Sequence, residues 1–275
     1  MKKRGCALLC VLALLLSSGC AELQSYRPIE DINDLDGRRV GVALAWAPDY
    51  LLTGREDMTL MRYDSIADMV TALCYRRLDA IAVERPFCNQ ILQSVKGLRA
   101  VEPVIARDGM IAYIANGQEQ LQAQFNSFIR EFRTTPEFLD IQNRLNEPEG
   151  FIPKDVPMLG GEKVLRVGIC TDGYPFAYID FETQEYVGSD VEFIKHFANA
   201  CGYEIEFIGG DYTAMELGII YGKTDIALSG ISNLWRADVE LTGKALCSEI
   251  YMETDIVFIE VADWEELEIL SAITE

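Results

Sequence analysis

The sequence predicts an α/β protein built from two lobes. Apolar strands alternate with amphipathic helices in two stretches, 32–106 and 163–260. This alternation is typical of parallel sheets whose strands are joined by crossover helices. A segment rich in Pro, Gly and charge, 146–162, lies between the two stretches and has the composition of a linker. The chain of 275 residues is long enough to give each lobe a core of its own.

The second stretch begins with the run LRVGIC, which is apolar and rich in β-branched residues and therefore predicts a buried strand. The turn residues Asp172, Gly173, Tyr174 and Pro175 end this strand. Asp190 then precedes apolar residues at helical spacing, so we expect it to cap a helix. A second strand follows and ends near Phe207.

The first stretch has the same kind of organisation. A turn at Asp36-Gly37 leads into a buried strand around Val40, and 64–73 carries a helical apolar stripe. Residues 77–83 predict the next strand, which ends at Glu84-Arg85-Pro86. Between the two stretches, 110–114 predicts a strand and Leu121–Phe132 an amphipathic helix, followed by further helical turns to Leu145. The tail 262–270 has an amphipathic pattern that predicts an additional helix.

The N-terminus has the features of an export signal. Lys2, Lys3 and Arg4 precede roughly ten apolar residues, too few to span the ~30 Å of a bilayer core, and small residues follow. Cys20 comes directly after Ser17-Ser18-Gly19, an arrangement that resembles a lipobox. We therefore expect a lipoprotein signal peptide at 1–20 and lipidation of Cys20. The alternative is an ordinary signal that is cleaved without lipidation.

Charge and cysteine usage narrow the function classes. A net charge of −20 opposes binding to nucleic acid or to anionic lipid surfaces. Five cysteines follow Cys20, without CxxC spacing, which argues against a zinc site and against a full disulfide framework. We expect free thiols, with one disulfide left open. His196 is the single histidine, so Ser-His-Asp or Cys-His catalysis would require this residue to enter a cleft. No metal or cofactor site is predicted.

The block 164–207 closely resembles the opening of bacterial extracellular solute-binding proteins of the polar amino-acid type (family 3). There a strand is followed by D-x-x-Y-P-F and then by G-x-D-x-(D/E) leading into a helix. Asp172–Phe176 has the first pattern with one residue fewer, and Gly188–Glu192 has the second. LDGRRVGV and the segment DAIAVERP resemble motifs of the second lobe of the same family. The resemblance implies a two-lobed periplasmic-binding-protein, or Venus-flytrap, fold.

The segments occur in an unusual order. The block that opens lobe one in the family begins here at position 163, after the segments that resemble lobe two. A circular permutation explains this order, because nothing is duplicated or missing; two partial domains or reciprocal swapping between chains are the alternatives. The predicted division is a signal peptide at 1–20, lobe two at 21–106, a return segment to lobe one at 107–145, a linker at 146–162, lobe one at 163–260, and a tail near the hinge at 261–275.

The family resemblance implies a site for a zwitterion, whose two charges each need a partner once they leave water. Arg236 follows the segment Ser229–Ser232 and matches the family arginine that clamps the ligand carboxylate, although the loop is one residue shorter than usual. Ser229, Gly230 and Ser232 would complete that clamp. Glu84 matches the family aspartate of lobe two that receives the ligand ammonium, and we expect it to face Arg236 across the cleft.

Aromatic residues would form the walls of this cleft. Tyr174 and Tyr212 match family positions that sandwich the ligand side chain, and Asp172 would favour a cationic or amide-bearing side chain. Packing in the core is the alternative for Tyr174 and Phe176. Trp46 is a further candidate for the cleft.

These observations predict a lipid-anchored substrate-binding protein on the extracytoplasmic (periplasmic or extracellular) face of the cell membrane. It would capture a polar amino acid between two lobes and deliver it to an ABC permease, with no catalytic activity of its own. Two alternatives remain: an enzyme on the same scaffold, similar to cyclohexadienyl dehydratase and using Glu84 or Asp172 as an acid, or a degenerate sensor or interaction domain.

Overall fold

The computed structural model describes residues 28–270 as a mixed α/β chain organised around two five-stranded sheets. Its strands are β1 (Arg39–Ala43), β2 (Thr59–Tyr63), β3 (Ala80–Glu84), β4 (Val95–Lys96), β5 (Leu98–Met110), β6 (Tyr113–Ile114), β7 (Lys163–Cys170), β8 (Asp172–Gly173), β9 (Ala177–Ile179), β10 (Tyr186–Val187), β11 (Tyr203–Gly210), β12 (Ile226–Ala227), β13 (Leu246–Cys247), β14 (Met252–Val261) and β15 (Glu268–Ile269).

Eight α-helices lie within this part of the chain. They are α1 (Ala47–Leu52), α2 (Ile66–Cys74), α3 (Arg85–Ser94), α4 (Glu119–Phe132), α5 (Pro136–Leu145), α6 (Ser189–Cys201), α7 (Tyr212–Ile220) and α8 (Arg236–Thr242). Short 3₁₀ turns occupy Ile32–Leu35 and Asn233–Trp235. The predicted helices at 64–73 and Leu121–Phe132 are confirmed as α2 and α4. No helix of residues 28–270 is both long and apolar enough to cross a bilayer.

Each sheet defines one lobe. The lobe-two sheet has the order β2-β1-β3-β14-β5, and the lobe-one sheet has the order β11-β7-β12-β6-β13. In both, three parallel strands are followed by an antiparallel fourth strand: β14 pairs antiparallel with β3, and β6 pairs antiparallel with β12. The two lobes are therefore built on one plan, with crossover helices between the parallel strands.

The chain crosses between the lobes twice. The first crossing follows β5 at Met110, and the second lies between β13 and β14. The two crossing segments run together, since Tyr251 N donates to Met110 O at 2.9 Å and Ser248 N donates to Ala112 O at 2.9 Å. Because β14 inserts between β3 and β5, it belongs to lobe two. This corrects the predicted extent of lobe one, which included residues up to 260.

Local sequence explains where several helices begin and end. Ser65 caps α2 by accepting from Asp68 N, and Thr135 caps α5, which starts with Pro136. Helix α6 ends at Gly202, whose φ of 71° is a left-handed conformation that glycine adopts without steric cost. Its N-cap is Gly188 and not Asp190, so the predicted capping role of Asp190 is wrong.

The core between α4 and α6 is aromatic. Ring centroids lie 4.8–6.4 Å apart within a cluster formed by Phe125, Phe128, Phe132, Phe193, Phe197 and Tyr251. Edge-to-face contacts at these separations add to the burial of apolar area. His196 packs beside Phe132 at 4.9 Å, and its burial lowers the pKa of the imidazole. The histidine is therefore part of the contact between α4 and α6.

The predicted linker packs along lobe one. It contains no helix or strand; Phe151 and Val156 are buried, and Lys154 N donates to the Glu192 carboxylate at 2.7 Å. The same carboxylate pairs with Arg144, whose guanidinium is mostly buried. These contacts hold the segment in place over the start of lobe one.

The tail does not form the predicted helix. Residues 268–269 instead make strand β15, which pairs with β4, and Arg76 stacks on the Trp264 ring at 4.2 Å. The edge strand β4 has free backbone groups, and hydrogen bonds to them stabilise the tail. An isolated helix of this length would be only marginally stable. The tail also lies away from the crossing segments, because Ala262 N bonds to Gly97 O at the opposite end of β14. Its predicted position near the hinge is therefore wrong.

Candidate functional site

Aromatic side chains from both lobes meet where the sheets face each other. Trp46, in lobe two, packs against Phe87 with centroids 4.7 Å apart, and Phe87 lies 6.4 Å from Phe176 of lobe one. Tyr50 and Trp235 make a second contact between the lobes at 5.2 Å. These residues follow the carboxyl ends of parallel strands, the edge at which α/β sheets place their ligands.

Glu84 is the last residue of β3 and is buried at this edge, with 8% of its surface exposed. Its Oε2 atom has no hydrogen-bond partner among the described residues. Burial raises the pKa of Glu84 from 4.5 to about 7, and the negative charge of Asp108 adds to this increase. A buried carboxyl group with an unpartnered oxygen atom can accept a cationic or hydrogen-bond-donating ligand.

Asp108 is a second buried acid at the site, and sequence reasoning missed it. It lies near the end of β5, is 6% exposed, and accepts a hydrogen bond from Ser232 Oγ at 2.9 Å. Burial raises the pKa of Asp108 to about 6, although the donors Ser232 Oγ and Gly109 N oppose the increase. The available signal was a charged residue placed directly before the apolar run 109–114.

Arg236 lies elsewhere. Its Nε donates to Asn233 Oδ1 at 2.7 Å, its Nη1 contacts Glu240 at 3.3 Å, and its Nη2 donates to the backbone carbonyl of Ser248. It lines a cavity of about 510 Å³ formed by α4, α8 and the second crossing segment, whose lining does not include Glu84.

The expectation that Arg236 faces Glu84 is therefore corrected. The reason is local, since Asn233 in the preceding 3₁₀ turn and the Ser248 carbonyl together satisfy the guanidinium inside lobe one. A role of Arg236 as the carboxylate clamp stays a prediction, and it now requires these bonds to break.

The segment Ser229–Ser232 is held by hydrogen bonds within the protein. Ser229 Oγ accepts from Cys170 N at 2.8 Å, and Gly230 N donates to Asp190 Oδ2 at 2.7 Å. Gly230 has φ of +63°, and a Cβ there would lie 2.4 Å from the Phe176 ring, so only glycine fits. Burial raises the pKa of Asp190 to about 7. The segment is thus fixed against Phe176, beside the aromatic contact.

The remaining predicted residues are spread over lobe one. The hydroxyl of Tyr174 accepts from Phe151 N at 3.0 Å, so it contacts the linker segment. Asp172 is exposed in β8. Tyr212 begins α7 with 42% of its surface exposed, and burial of its phenol end beside Tyr113 raises its pKa to about 12. The structure does not bring these three residues together around Glu84. Their roles in binding remain predictions.

The five cysteines within residues 28–270 are free, as expected: Cys88, Cys170 and Cys247 are buried, and Cys74 and Cys201 are partly exposed. No cluster of three or more metal-ligating side chains occurs within residues 28–270. Cys20 and the predicted signal peptide lie outside the described residues.

Comparison with known proteins agrees with the resemblance for lobe one. Residues 165–239 match the model of the family described as bacterial extracellular solute-binding proteins, family 3. The match confirms the resemblance for that segment, which runs from β7 to the start of α8. No curated protein matches the chain.

Solved structures give distant likenesses. One is the ligand-binding component of an ABC-type import system from Staphylococcus aureus with zinc bound, with 9% identity, a TM-score of 0.41, and coverage of 82% of this chain and 66% of that chain. Another is the regulatory domain of HypT from Salmonella typhimurium, with 9% identity, a TM-score of 0.40, and coverage of 87% and 90%. A third is the GluR0 ligand-binding core in complex with L-glutamate, with 10% identity, a TM-score of 0.38, and coverage of 82% and 85%.

Proposed function

We propose that the protein is an exported solute-binding protein that captures a polar amino acid between its two lobes. The observation that carries this proposal is the buried carboxylate of Glu84, whose Oε2 has no partner at the edge where the lobes meet. An unpartnered buried acceptor costs free energy unless a ligand satisfies it. The ammonium group of an amino acid supplies both the charge and the hydrogen bonds that Glu84 lacks.

The aromatic contact supports binding between the lobes. Trp46 and Phe87 come from lobe two and Phe176 from lobe one, so lobe opening would separate Phe176 from the other two rings. A ligand that contacts both lobes shifts the equilibrium toward the closed form by its preference for that form. Delivery to an ABC permease, and anchoring through a lipid on Cys20, belong to the same proposal.

Isothermal titration calorimetry with a panel of amino acids on the chain without residues 1–20 tests the proposal. We expect saturable binding of at least one amino acid, and a loss of affinity of at least tenfold in Glu84→Gln. Glu185→Gln is the matched control, because Glu185 is an exposed acid on the β9–β10 turn. Absence of binding to the whole panel, or equal affinity in Glu84→Gln, would contradict the proposal.

Glu84 also supports a second candidate, an enzyme on the same scaffold. An acid with a pKa of about 7 is partly protonated at neutral pH, which suits a general acid that assists the departure of a leaving group. Chromatography of ligand mixtures after incubation separates the two functions. Binding without product formation supports capture, whereas product formation that Glu84→Gln abolishes supports catalysis.

The order of segments is explained by a circular permutation, which we propose here for the whole chain. The described chain begins beside the end of β14, since Ile29 N donates to the Glu260 carboxylate at 3.1 Å. This proximity supports a former connection between β14 and the 3₁₀ turn that precedes β1. A chain rearranged to start at Lys163 and end at Leu145, with 261 joined to 29 by a short linker, should fold and bind the same ligand. Failure to fold would argue against permutation.

A further inference from the structure

Asp108 and Glu84 share one face of the lobe-two sheet. Glu84 on β3 lies opposite Ile256 on β14, and Asp108 on β5 lies opposite Thr254, two positions away on the same strand. Residues directly opposite in a sheet, and residues two apart on a strand, project to the same side. Glu84, Thr254 and Asp108 therefore form a polar group on one face, near the first and second crossings between the lobes.

The three side chains are buried, and two of them carry an oxygen atom without a hydrogen-bond partner. Thr254 is 2% exposed, and its Oγ1 has no hydrogen-bond partner, as is also true of Glu84 Oε2. Asp108 accepts from the neutral donor Ser232 Oγ. Neither acid takes part in any ion pair formed within residues 28–270. Two buried carboxyl groups without a cation and a hydroxyl without a partner are unusual in a folded protein.

The position of this group is close to the contact between the lobes. Ser232, the donor to Asp108, belongs to lobe one and follows the segment that packs against Phe176. The Cα atoms of Glu84 and Asp108 are about 12 Å apart, from two strand spacings across the sheet and two residues along it. Side chains that lean toward each other over this span bring two carboxyl groups within reach of two nitrogen atoms joined by a short carbon chain.

We propose that Asp108 is a second acidic recognition group and that the ligand is a basic amino acid, with one cationic nitrogen at Glu84 and the other at Asp108. Thr254 Oγ1 contributes a hydrogen bond between the two acids. The inference depends on the proposed capture of an amino acid and defines its side chain. It assigns to Asp108 the role that the sequence predicted for Asp172, which is exposed in β8.

A purely structural role for Asp108, in which it only holds Ser232, is the competing explanation. The two explanations differ in which property of the side chain matters. Asp108→Asn keeps an oxygen that accepts from Ser232 but removes the charge. Ser232→Ala keeps the charge but removes this hydrogen bond. Asp64→Asn is the control, because it removes an exposed acid that lies outside the predicted site.

The test is calorimetric titration of each variant with L-lysine, L-ornithine and the neutral L-glutamine, with circular dichroism to verify folding. We expect the wild type to bind lysine or ornithine at least tenfold more tightly than glutamine. Asp108→Asn should remove most of that preference while affinity for glutamine stays within about threefold. Asp64→Asn should behave like the wild type.

Each other outcome overturns the inference in a recognisable way. If the wild type binds glutamine as tightly as the basic amino acids, Asp108 does not select charge, and this result needs no variant to fold. If Asp108→Asn and Ser232→Ala weaken all three ligands equally, Asp108 is only a structural partner of Ser232. In both cases the proposed capture of an amino acid stands. If no amino acid binds, that proposed function fails as well.

Discussion

The guanidinium of Arg236 donates a hydrogen bond to the backbone carbonyl of Ser248, and this bond ties α8 to the segment that crosses from lobe one to lobe two. Side chains of α4 hold neighbouring residues of the same segment: Gln122 Nε2 donates to Cys247 O at 2.8 Å, and Arg133 Nη2 donates to Ile250 O at 2.6 Å. Side-chain donors therefore hold the backbone carbonyl groups of the crossing segment from two sides.

Arg236→Ala is expected to destabilise the protein and to leave ligand affinity within about threefold. Loss of charge-assisted hydrogen bonds from this position lowers the free energy of unfolding by about 1–3 kcal/mol. Chemical denaturation and calorimetric titration on the same samples measure the two quantities. A hundredfold loss of affinity with unchanged stability would return Arg236 to the clamp role that the sequence predicts.

The stability of the ligand-free protein is expected to fall between about pH 4.5 and pH 7 through Glu84. Its pKa is raised to about 7 in the folded protein, so the folded state binds the proton more tightly than the unfolded state does. The stabilisation is present below the ordinary pKa of the group and is lost as the pH rises through the folded value. The shift corresponds to roughly 3 kcal/mol.

Glu84→Gln isolates this contribution. Relative to the wild type, the variant should become more stable by about 2–3 kcal/mol when the pH is raised from 5 to 8, as measured by urea denaturation. Glu185→Gln should show no such change. Parallel pH profiles for wild type and Glu84→Gln would mean that Glu84 keeps its ordinary pKa.

Ligand affinity is expected to have the opposite pH dependence. A cationic nitrogen binds the ionised form of Glu84, which is scarce in the free protein below pH 7, and Asp108 loses its charge below about pH 6. Affinity should therefore fall by up to about tenfold per pH unit between pH 7 and pH 6, and by up to about a hundredfold per pH unit below pH 6, where both acids must lose a proton. Titrations at pH 5.5, 6.5 and 7.5 measure this, and a pH-independent affinity in the wild type would exclude a carboxylate with a raised pKa from the site.

Glu260→Gln is expected to loosen the start of the described chain. Glu260 is fully buried, accepts from Ile29 N at 3.1 Å and pairs with Arg99, whose Nε lies 3.0 Å away. The Arg99 side chain is partly exposed, so the loss of these charge-assisted hydrogen bonds should cost about 1–3 kcal/mol of stability. Glu268→Gln is the control, because its pair with Lys96 is exposed and should contribute less than about 1 kcal/mol. Equal effects of the two substitutions on thermal unfolding would contradict this assignment.

Much of the local structure could be predicted from local pattern. The apolar stripe of 64–73 predicts α2, the β-branched run at LRVGIC predicts β7, and a glycine at 202 marks the end of α6. These features depend on the periodicity of apolar residues and on backbone preferences, which act over a few positions. The same patterns indicated that Glu84 follows a buried strand.

Other features depended on partners far away in the chain. The tail 262–270 has an amphipathic pattern, yet its end pairs with β4 because that edge strand offers backbone groups. Asp190 has the sequence position of a helix cap, but Gly230, forty residues later, supplies the N–H that its carboxylate accepts. Neither partner is visible from the sequence around the residue concerned.

By itself, the sequence determined the α/β class and the two stretches that become lobes, because apolar periodicity and strand ends are local properties. The candidacy of Glu84 came from the family resemblance of the segment DAIAVERP. Only the tertiary structure decided that β14 joins lobe two, that Arg236 bonds to Ser248, and that Asp108 shares a sheet face with Glu84. Burial, desolvation and cross-strand pairing arise only when distant segments meet. Tertiary packing therefore decides which charged side chains lie together and how far they are buried.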